Sequence, residues 1–264
     1  MKILYVGDVM GQAGRETLAK VLPTIKMQHA VELVIVQAEN SHDNGKSPSA
    51  SDVAAMQAAG ADFFTGGNHS FANKETNVLY DDPDAPLIRP ANVEDVHGAG
   101  YKIIDCAGKR LLVCSLLGQI VGGQKYKVAN PLTAVDDILG KQYGNFDVAV
   151  VNFHGDFSSE KVVIGHYLDG RVAAVIGDHW HVPTADAMIL PKGTAHITDV
   201  GMVGALHSSL GIKSEVIIER WKSNSQSKNE MELAGPFQFN AVLIEIDPAT
   251  NLSTSITHLH QVIE

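Results

Sequence analysis

Short apolar runs that end in polar, metal-binding types of side chain recur five times along this chain, and they constrain its fold more than any other feature. Each run has the length and composition of a buried β-strand. Carboxylate, amide and imidazole groups follow the runs, and these groups are common metal ligands in proteins. We therefore predict one dispersed binuclear metal site at the strand ends. The five segments are Gly7-Asp8, Glu39-Asn40, Gly67-Asn68-His69, His154 and Gly177-Asp178-His179-Trp180-His181.

Strand and helix patterns alternate in the first third of the chain. Apolar runs at 3–6, 33–36 and 63–65 read as strands. Between them, residues 18–25 follow helical spacing, and Ser49 or Ser51 can cap a second helix. Pro23 lies inside the first helical pattern and is expected to kink or shorten it. This β-α-β-α-β order indicates an α/β fold in which neighbouring parallel strands share one carboxyl edge.

The rest of the chain continues the pattern without a repeat or a long linker. Further strands are predicted at 148–152, 172–176 and 195–198, with a β-hairpin at 102–116 and a closing hairpin at 241–246 and 253–259. We expect residues 1–264 to form a single domain.

Charge and cysteine content exclude several classes of protein. The net charge is −10 and no run of Lys or Arg is present, so stable binding of duplex nucleic acid is disfavoured. No apolar run approaches the ~20 residues that span a bilayer, and the first strand follows Met1-Lys2 directly. The two cysteines, Cys106 and Cys114, are expected to be buried thiols, with Cys106 opposite Leu111 or Leu112 in the hairpin. A cytoplasmic protein without a membrane partner is the resulting prediction.

The pairs His179-x-His181 and Asn68-His69 are the most specific local signals. In extended backbone, residues two apart point to the same side, so both imidazoles of the first pair could reach the same metals while Trp180 faces away. In the second pair, the amide oxygen could bind a metal while His69 acts as an acid. The alternative for the first pair is two surface histidines, and the alternative for the second pair is an ordinary turn.

A dinucleotide-binding enzyme is a further alternative. Gly7, Gly11 and Gly14 surround the first β-α turn, and Glu39 follows the second strand, where an acid can bind a ribose hydroxyl. The glycines are four and three residues apart, however, which differs from the G-x-G-x-x-G spacing. The carboxylate of Asp8 would also repel a pyrophosphate.

Motifs along nearly the whole chain resemble those of the YmdB-type metallophosphoesterases, a branch of the calcineurin-like superfamily. The matching stretches include Gly7-Asp8-Val9, Glu39-Asn40, Gly67-Asn68-His69, Arg89-Pro90-Ala91-Asn92, Ser159-Glu160-Lys161, His181-Val182-Pro183-Thr184-Ala185-Asp186 and Thr198-Asp199-Val200-Gly201-Met202.

The resemblance implies a β-sandwich flanked by helices, with a binuclear centre at the strand carboxyl ends. It implies hydrolysis of small phosphodiesters, including 2′,3′-cyclic nucleotides, by metal-hydroxide attack, with iron or manganese as the usual metals. His69 would be the catalytic general acid, and Glu39 would bridge the metals. A homo-oligomer is compatible with this family. The implied metal ligands are Asp8, Glu39, Asn40, Asn68, His154, His179 and His181.

The sequence departs from the family pattern beside these ligands. Phe71-Ala72, Asp178 and Trp180 replace the residues that are usual there, which predicts an altered rim around an intact metal-binding core. Substrate preference therefore does not follow from the resemblance. A metal-binding regulatory module with weak catalysis remains the main alternative to an active phosphodiesterase.

Overall fold

The computed structural model describes residues 1–122 and 126–264. In this part of the chain, two β-sheets of seven and six strands are present. The first sheet contains β1 (Lys2–Val6), β2 (Asp8–Val9), β3 (Leu33–Gln37), β4 (Phe63–Thr65), β11 (Met202–Ala205), β12 (Phe237–Ile246) and β13 (Ser253–Ile263). The second contains β5 (Tyr101–Cys106), β6 (Lys109–Leu117), β7 (Val148–His154), β8 (Ala174–Asp178), β9 (Met188–Ile189) and β10 (Ala195–Ile197).

The strand orders place the predicted parallel strands next to one another. The first sheet has the order β2-β11-β12-β1-β3-β4, with β13 paired to β12, and the second has the order β5-β6-β7-β8-β10-β9. Strands β1, β3 and β4 are parallel neighbours, as are β6, β7, β8 and β10. Each sheet therefore has several strand carboxyl ends on one edge.

Helices cover the outer faces of the two sheets. Residues of α1 and α2 belong to the apolar cluster of the first sheet, and residues of α5 and α6 belong to a cluster of the second. The helices are α1 (Gly11–His29), α2 (Ala50–Ala58), α3 (Lys74–Asp81), α4 (Gln119–Gly122), α5 (Pro131–Lys141), α6 (Ser158–Leu168) and α7 (Ser214–Ser223).

Alternation along the strands produces this layered arrangement. In β1, Leu4 and Val6 pack in the cluster that contains α1, whereas Ile3 and Tyr5 pack in a cluster formed by both sheets. Successive side chains of a strand point to opposite faces, so one strand supplies two separate cores. The predicted α/β architecture, a β-sandwich flanked by helices, is confirmed.

Two local predictions about helices have different outcomes. Ser49 caps α2 through a capping box with Asp52, as expected. Pro23 does not end α1. The helix has 19 residues in total and includes Pro23. Leu18, Leu22 and Ile25 of this helix are fully buried, and this packing outweighs the cost of an interior proline.

The doubly wound fold that a dinucleotide-binding enzyme requires is absent from the described residues. Strand β1 is parallel to β3 on one side but antiparallel to β12 on the other. One face of its sheet packs on a second sheet rather than on helices. The dinucleotide alternative is therefore wrong at the level of the fold.

The hairpin of β5 and β6 has a tighter turn than predicted. Cys106 is opposite Lys109, and Cys114 is opposite Tyr101, because only Ala107 and Gly108 form the turn. The expected pairing of Cys106 with Leu111 or Leu112 is therefore wrong. Both cysteines are buried and free, as predicted.

Among the helices in the described ranges, none is both long enough and apolar enough to cross a bilayer. The assignment of residues 1–264 to one domain stays a prediction.

Candidate metal centre

The carboxyl ends of strands from both sheets meet at one buried polar cluster. Glu39 and Asn68 follow β3 and β4 of the first sheet, whereas His154 ends β7 of the second. Oε1 of Glu39 lies 3.1 Å from Nε2 of His154, so this contact joins the two sheets. Side chains that are more than 100 residues apart in sequence therefore share one site.

His154 is the centre of this cluster and is fully buried. Its Nδ1 lies 2.7 Å from Oδ1 of Asp178. Its Nε2 lies 2.8 Å from Oδ1 of Asn68, as well as within reach of Glu39. The carboxylate of Asp178 thus holds one ring nitrogen, while the other faces the oxygen atoms of the predicted ligands.

Asp8 and His179 form the adjoining part of the site. The backbone N–H of His179 donates to Oδ2 of Asp8 at 3.2 Å, and its ring lies 4.5 Å, centroid to centroid, from that of His154. One donor atom from each of Glu39, His154 and His179 lies within 4.8 Å of the others. A carboxylate and two imidazoles at this separation could hold one cation.

Two buried oxygen atoms of the predicted ligands have no hydrogen-bond partner among the described residues: Oδ1 of Asp8 and Oδ1 of Asn40. Nε2 of His181 is 3.7 Å from that Asp8 oxygen, beyond hydrogen-bond distance. Buried polar atoms are rarely left unpaired. These oxygen atoms are of a type that binds metal ions, and their lone pairs are available to a metal ion.

The backbone that presents His179 and His181 differs from the prediction. Strand β8 ends at Asp178, and the two histidines have φ values of 109° and 63°. Both imidazoles reach the site from a left-handed turn, so the extended-backbone argument was wrong although both residues lie where it placed them. Trp180 does face away, as expected, and its indole lies over the ammonium of Lys161 at 4.1 Å.

A buried ion pair supports this turn. Nζ of Lys161 donates to Oδ2 of Asp199 at 2.7 Å and to the carbonyl of Asp178 at 2.7 Å. The backbone N–H of Trp180 donates to the same oxygen of Asp199 at 2.8 Å. Sequence reasoning missed Asp199, although it also follows a strand, β10, and this position was a usable signal.

Burial and mutual charge shift the pKa values of the cluster. Burial opposes ionisation of Glu39, but the charge of His154 outweighs it and lowers the Glu39 pKa to about 2. Burial likewise opposes protonation of His154, but Glu39 and Asp178 raise its pKa. Burial, reinforced by the charge of His154, lowers the pKa of His179 to about 2, and burial lowers that of His181 to about 4. The last two imidazoles are therefore neutral, as metal ligands must be.

The predicted rim residues do not form the rim. Asp178 is fully buried and accepts hydrogen bonds from Tyr5, Gln37 and Asn152. Phe71 packs on the aromatic rings of residues 80 and 126. The strand-end position of Asp178 puts it beneath His154 rather than at the surface, and no local pattern predicted that this side chain would be buried.

A cavity of about 460 Å³ opens beside the cluster instead. Glu39, His69 and His179 line it together with Ile217 and Trp221 of α7. Of the described residues that line this cavity, none is among Phe71, Ala72, Asp178 and Trp180. The cavity gives a small ligand access to the predicted metal ligands.

Comparisons with known proteins show which proteins this chain is similar to. The chain is 35% identical to the 2′,3′-cyclic-nucleotide 2′-phosphodiesterase of Bacillus subtilis over 260 residues, which cover 98% of this chain and 96% of that protein. A crystal structure of a novel phosphatase from Mycoplasma pneumoniae matches with a TM-score of 0.92 at 31% identity, over 99% of this chain and 93% of that one. The calcineurin-like phosphoesterase YfkN of Bacillus subtilis shares the fold, with a TM-score of 0.61 at 13% identity over 99% and 90% of the two chains.

Fold, site and relatives together define an enzyme of the phosphoesterase class with the calcineurin-like fold. The family of YmdB-like proteins matches residues 4–259, and the chain belongs to this family.

Proposed function

We propose that this protein is a binuclear metal phosphodiesterase that hydrolyses small phosphodiesters, with 2′,3′-cyclic nucleotides as the first candidates. The similarity to a 2′,3′-cyclic-nucleotide 2′-phosphodiesterase supports the substrate class. The cavity beside the cluster is of a size that holds a small ligand.

One observation carries the proposal: donor atoms of Glu39, His154 and His179 converge within 4.8 Å of one another in a buried site. The unpartnered oxygen atoms of Asp8 and Asn40 add two further ligand atoms. We propose that these residues, with Asn68 and His181, would hold two cations, and that Glu39 would be a ligand in this set. Iron and manganese suit such a set of nitrogen and oxygen ligands.

Two bound cations would supply positive charge for the phosphate and lower the pKa of a water molecule. The protein's own residues would orient and protonate the substrate. The backbone N–H of His69 donates to Oε2 of Glu39 at 2.7 Å, which fixes this residue beside the ligands, and the residue lines the cavity. In this position, the imidazole of His69 can donate a proton to the leaving oxygen.

The test combines elemental analysis with a phosphodiesterase assay on the wild type and His69→Ala. Manganese-loaded wild type is expected to hydrolyse 2′,3′-cyclic AMP. His69→Ala should be slower by ~10²–10⁴-fold with unchanged metal content, because only the proton donor is lost. The loss should be smaller for bis-p-nitrophenyl phosphate, whose leaving group needs less protonation.

His97→Ala is the matched control, since His97 is an exposed histidine whose Nδ1 pairs with Asp81. Full activity of His69→Ala toward 2′,3′-cyclic AMP would refute the acid role. Loss of metal in that variant would make His69 a ligand instead. A wild type that binds two metals but turns over neither substrate would favour a regulatory module.

Cytoplasmic location and a homo-oligomeric state are part of the same proposal. Sedimentation of the purified protein and fractionation of the host cell would test them.

A further inference from the structure

Helix α7 turns one side toward the cavity beside the metal ligands. Ile217, Arg220 and Trp221 line this cavity together with Glu39 and His179. Residues three and four positions apart share one face of an α-helix, so these three side chains form a continuous surface. The helix therefore forms part of the wall of the cavity that Glu39 and His179 also line.

This helix has an aromatic side chain on its surface that is not packed in a hydrophobic core. Trp221 is 84% exposed, and α7 has no buried residue. A large exposed aromatic at the mouth of a cavity offers a flat apolar surface for stacking. Because Trp221 lines the same cavity as the predicted metal ligands, a molecule bound in that cavity can contact it.

Charge on the same cavity favours a ligand that carries phosphate. Lys46 and Arg220 line it, although the whole chain has a net charge of −10. Nη2 of Arg220 donates to the carbonyl of Ser227 and to Oδ1 of Asn229, both at 2.8 Å. These bonds hold the guanidinium group in place on the cavity wall.

The cavity is larger than a phosphodiester group alone requires. Its volume of about 460 Å³ lies within the range of roughly 300–1,000 Å³ that is typical of small-molecule sites. A nucleotide whose phosphate sits at the predicted metal ligands would have the rest of the cavity for its base, and α7 lines part of it.

We propose that the cavity side of α7, with Trp221 as its stacking surface and Ile217 beside it, binds the nucleobase and selects nucleotides over base-free phosphate esters. The proposal rests on the proposed function for the position of the phosphate. It assigns specificity to a helix rather than to the residues next to the metal ligands.

The test compares a matched pair of ligands that differ only in the base, 5′-AMP and ribose 5-phosphate. Their binding to the manganese-loaded protein is measured by isothermal titration calorimetry. Wild type is expected to bind 5′-AMP about 5- to 100-fold more tightly, the range that one stacked base contributes. Trp221→Ala should remove most of this preference, and Trp221→Phe should retain most of it.

Ile218→Ala is the control, because Ile218 is an exposed apolar residue of the same helix that is 54% exposed and is not among the described residues lining the cavity. It should keep the wild-type preference. Equal binding of both ligands by wild type, or an unchanged preference in Trp221→Ala, would overturn the proposal. So would a shift from oligomer to monomer in Trp221→Ala with the preference intact, since the face would then be a self-association surface.

The two proposals fail in different ways. A protein that prefers 5′-AMP through Trp221 but hydrolyses no phosphodiester would refute the proposed function alone. A protein that hydrolyses 2′,3′-cyclic AMP but shows no contribution of Trp221 would refute the nucleobase wall alone.

Discussion

Oδ1 of Asp178 lies 2.7 Å from Nδ1 of His154, and both side chains are fully buried. A carboxylate can only accept a hydrogen bond, so the Nδ1–H of His154 donates to Asp178, and Nε2 faces the cluster. The other oxygen of Asp178 accepts bonds from Tyr5, Gln37 and Asn152 at 2.8, 3.0 and 2.6 Å. Asp178 is thus fixed on both sides and in turn fixes the imidazole.

Asp178→Asn is expected to weaken manganese binding by about 10- to 100-fold, because an amide is a poorer acceptor and no longer holds the ring or raises its basicity. Calorimetric titration with manganese measures this, and circular dichroism checks the fold. Asp147→Asn is the control, since Asp147 pairs with Arg110 at the surface. Unchanged manganese affinity in Asp178→Asn would show that the contact does not position His154.

Gly67→Ala is expected to lower the metal content of the purified protein. A Cβ at this position would lie 2.4 Å from Oε2 of Glu39 and 2.5 Å from Cδ2 of His154, so both predicted ligands must move. Overpacking of this kind also costs about 1–3 kcal/mol of stability. Elemental analysis and urea unfolding measure the two effects.

Gly140→Ala is the matched control for that variant. Nothing lies within 4 Å of a Cβ at Gly140, which is inside α5, so the substitution should leave metal content unchanged and slightly favour the helix. If Gly67→Ala retained the metal content of the control, Gly67 would not be needed for the close approach of the ligands.

Lys161→Met is expected to lower the free energy of unfolding by about 3–5 kcal/mol. The substitution leaves the carboxylate of Asp199 buried without its cation, and an uncompensated buried charge is costly. The double variant Lys161→Met/Asp199→Asn should recover part of the loss, since it removes that charge. Urea unfolding of the four proteins gives the coupling energy. A cost below about 1 kcal/mol for the single variant would contradict a structural role for the pair.

Asp52→Asn tests a pH-dependent contribution to stability. Burial raises the Asp52 pKa, but hydrogen bonds from Ser49 and His42 and the charge of Arg15 outweigh it and lower the pKa below its usual value. Because the folded-state pKa is depressed, the stabilisation is present above the unfolded value of about 3.9 and is lost as the pH falls through the folded one.

Asp52→Asn should therefore be less stable than wild type by about 0.5–2 kcal/mol at pH 7, the usual value of a capping interaction. The difference should shrink as the pH falls below about 4. Urea unfolding at pH 7, 5 and 3 measures it, with the exposed Asp43→Asn as the control. An equal difference at pH 7 and pH 3 would show that the ionised carboxylate is not responsible.

The strands that carry the candidate site were predictable because each is short, apolar and followed by a polar segment. Residues 3–6, 33–36 and 63–65 all lie in strands of the first sheet, and Asp8, Glu39 and Asn68 follow at their ends. Hydrophobic patterning is a local property, and the shared edge of parallel strands is a general one. From these two properties, the proximity of the strand-end side chains could be predicted before the structure was known.

The role of Asp178 was not predictable in the same way. Its position after an apolar run is no different from that of Asp8, yet it is the partner of a histidine that is 24 residues away in sequence. The pairing depends on the register of β7 against β8, in which His154 is opposite Asp178. The turn at His179 and His181 also escaped prediction, since a positive φ at a non-glycine residue is set by the tertiary contacts of Asp199 and Asp8.

The gathering of carboxylate, amide and imidazole groups at strand ends follows from local sequence alone, because it depends on the period of the apolar residues and the order of the elements. The folded protein is needed to show which of those groups face the cavity, which lie beneath it, and that α7 lines the same cavity. Those facts depend on strand register and on contacts between residues that are distant in sequence, and no local pattern encodes them.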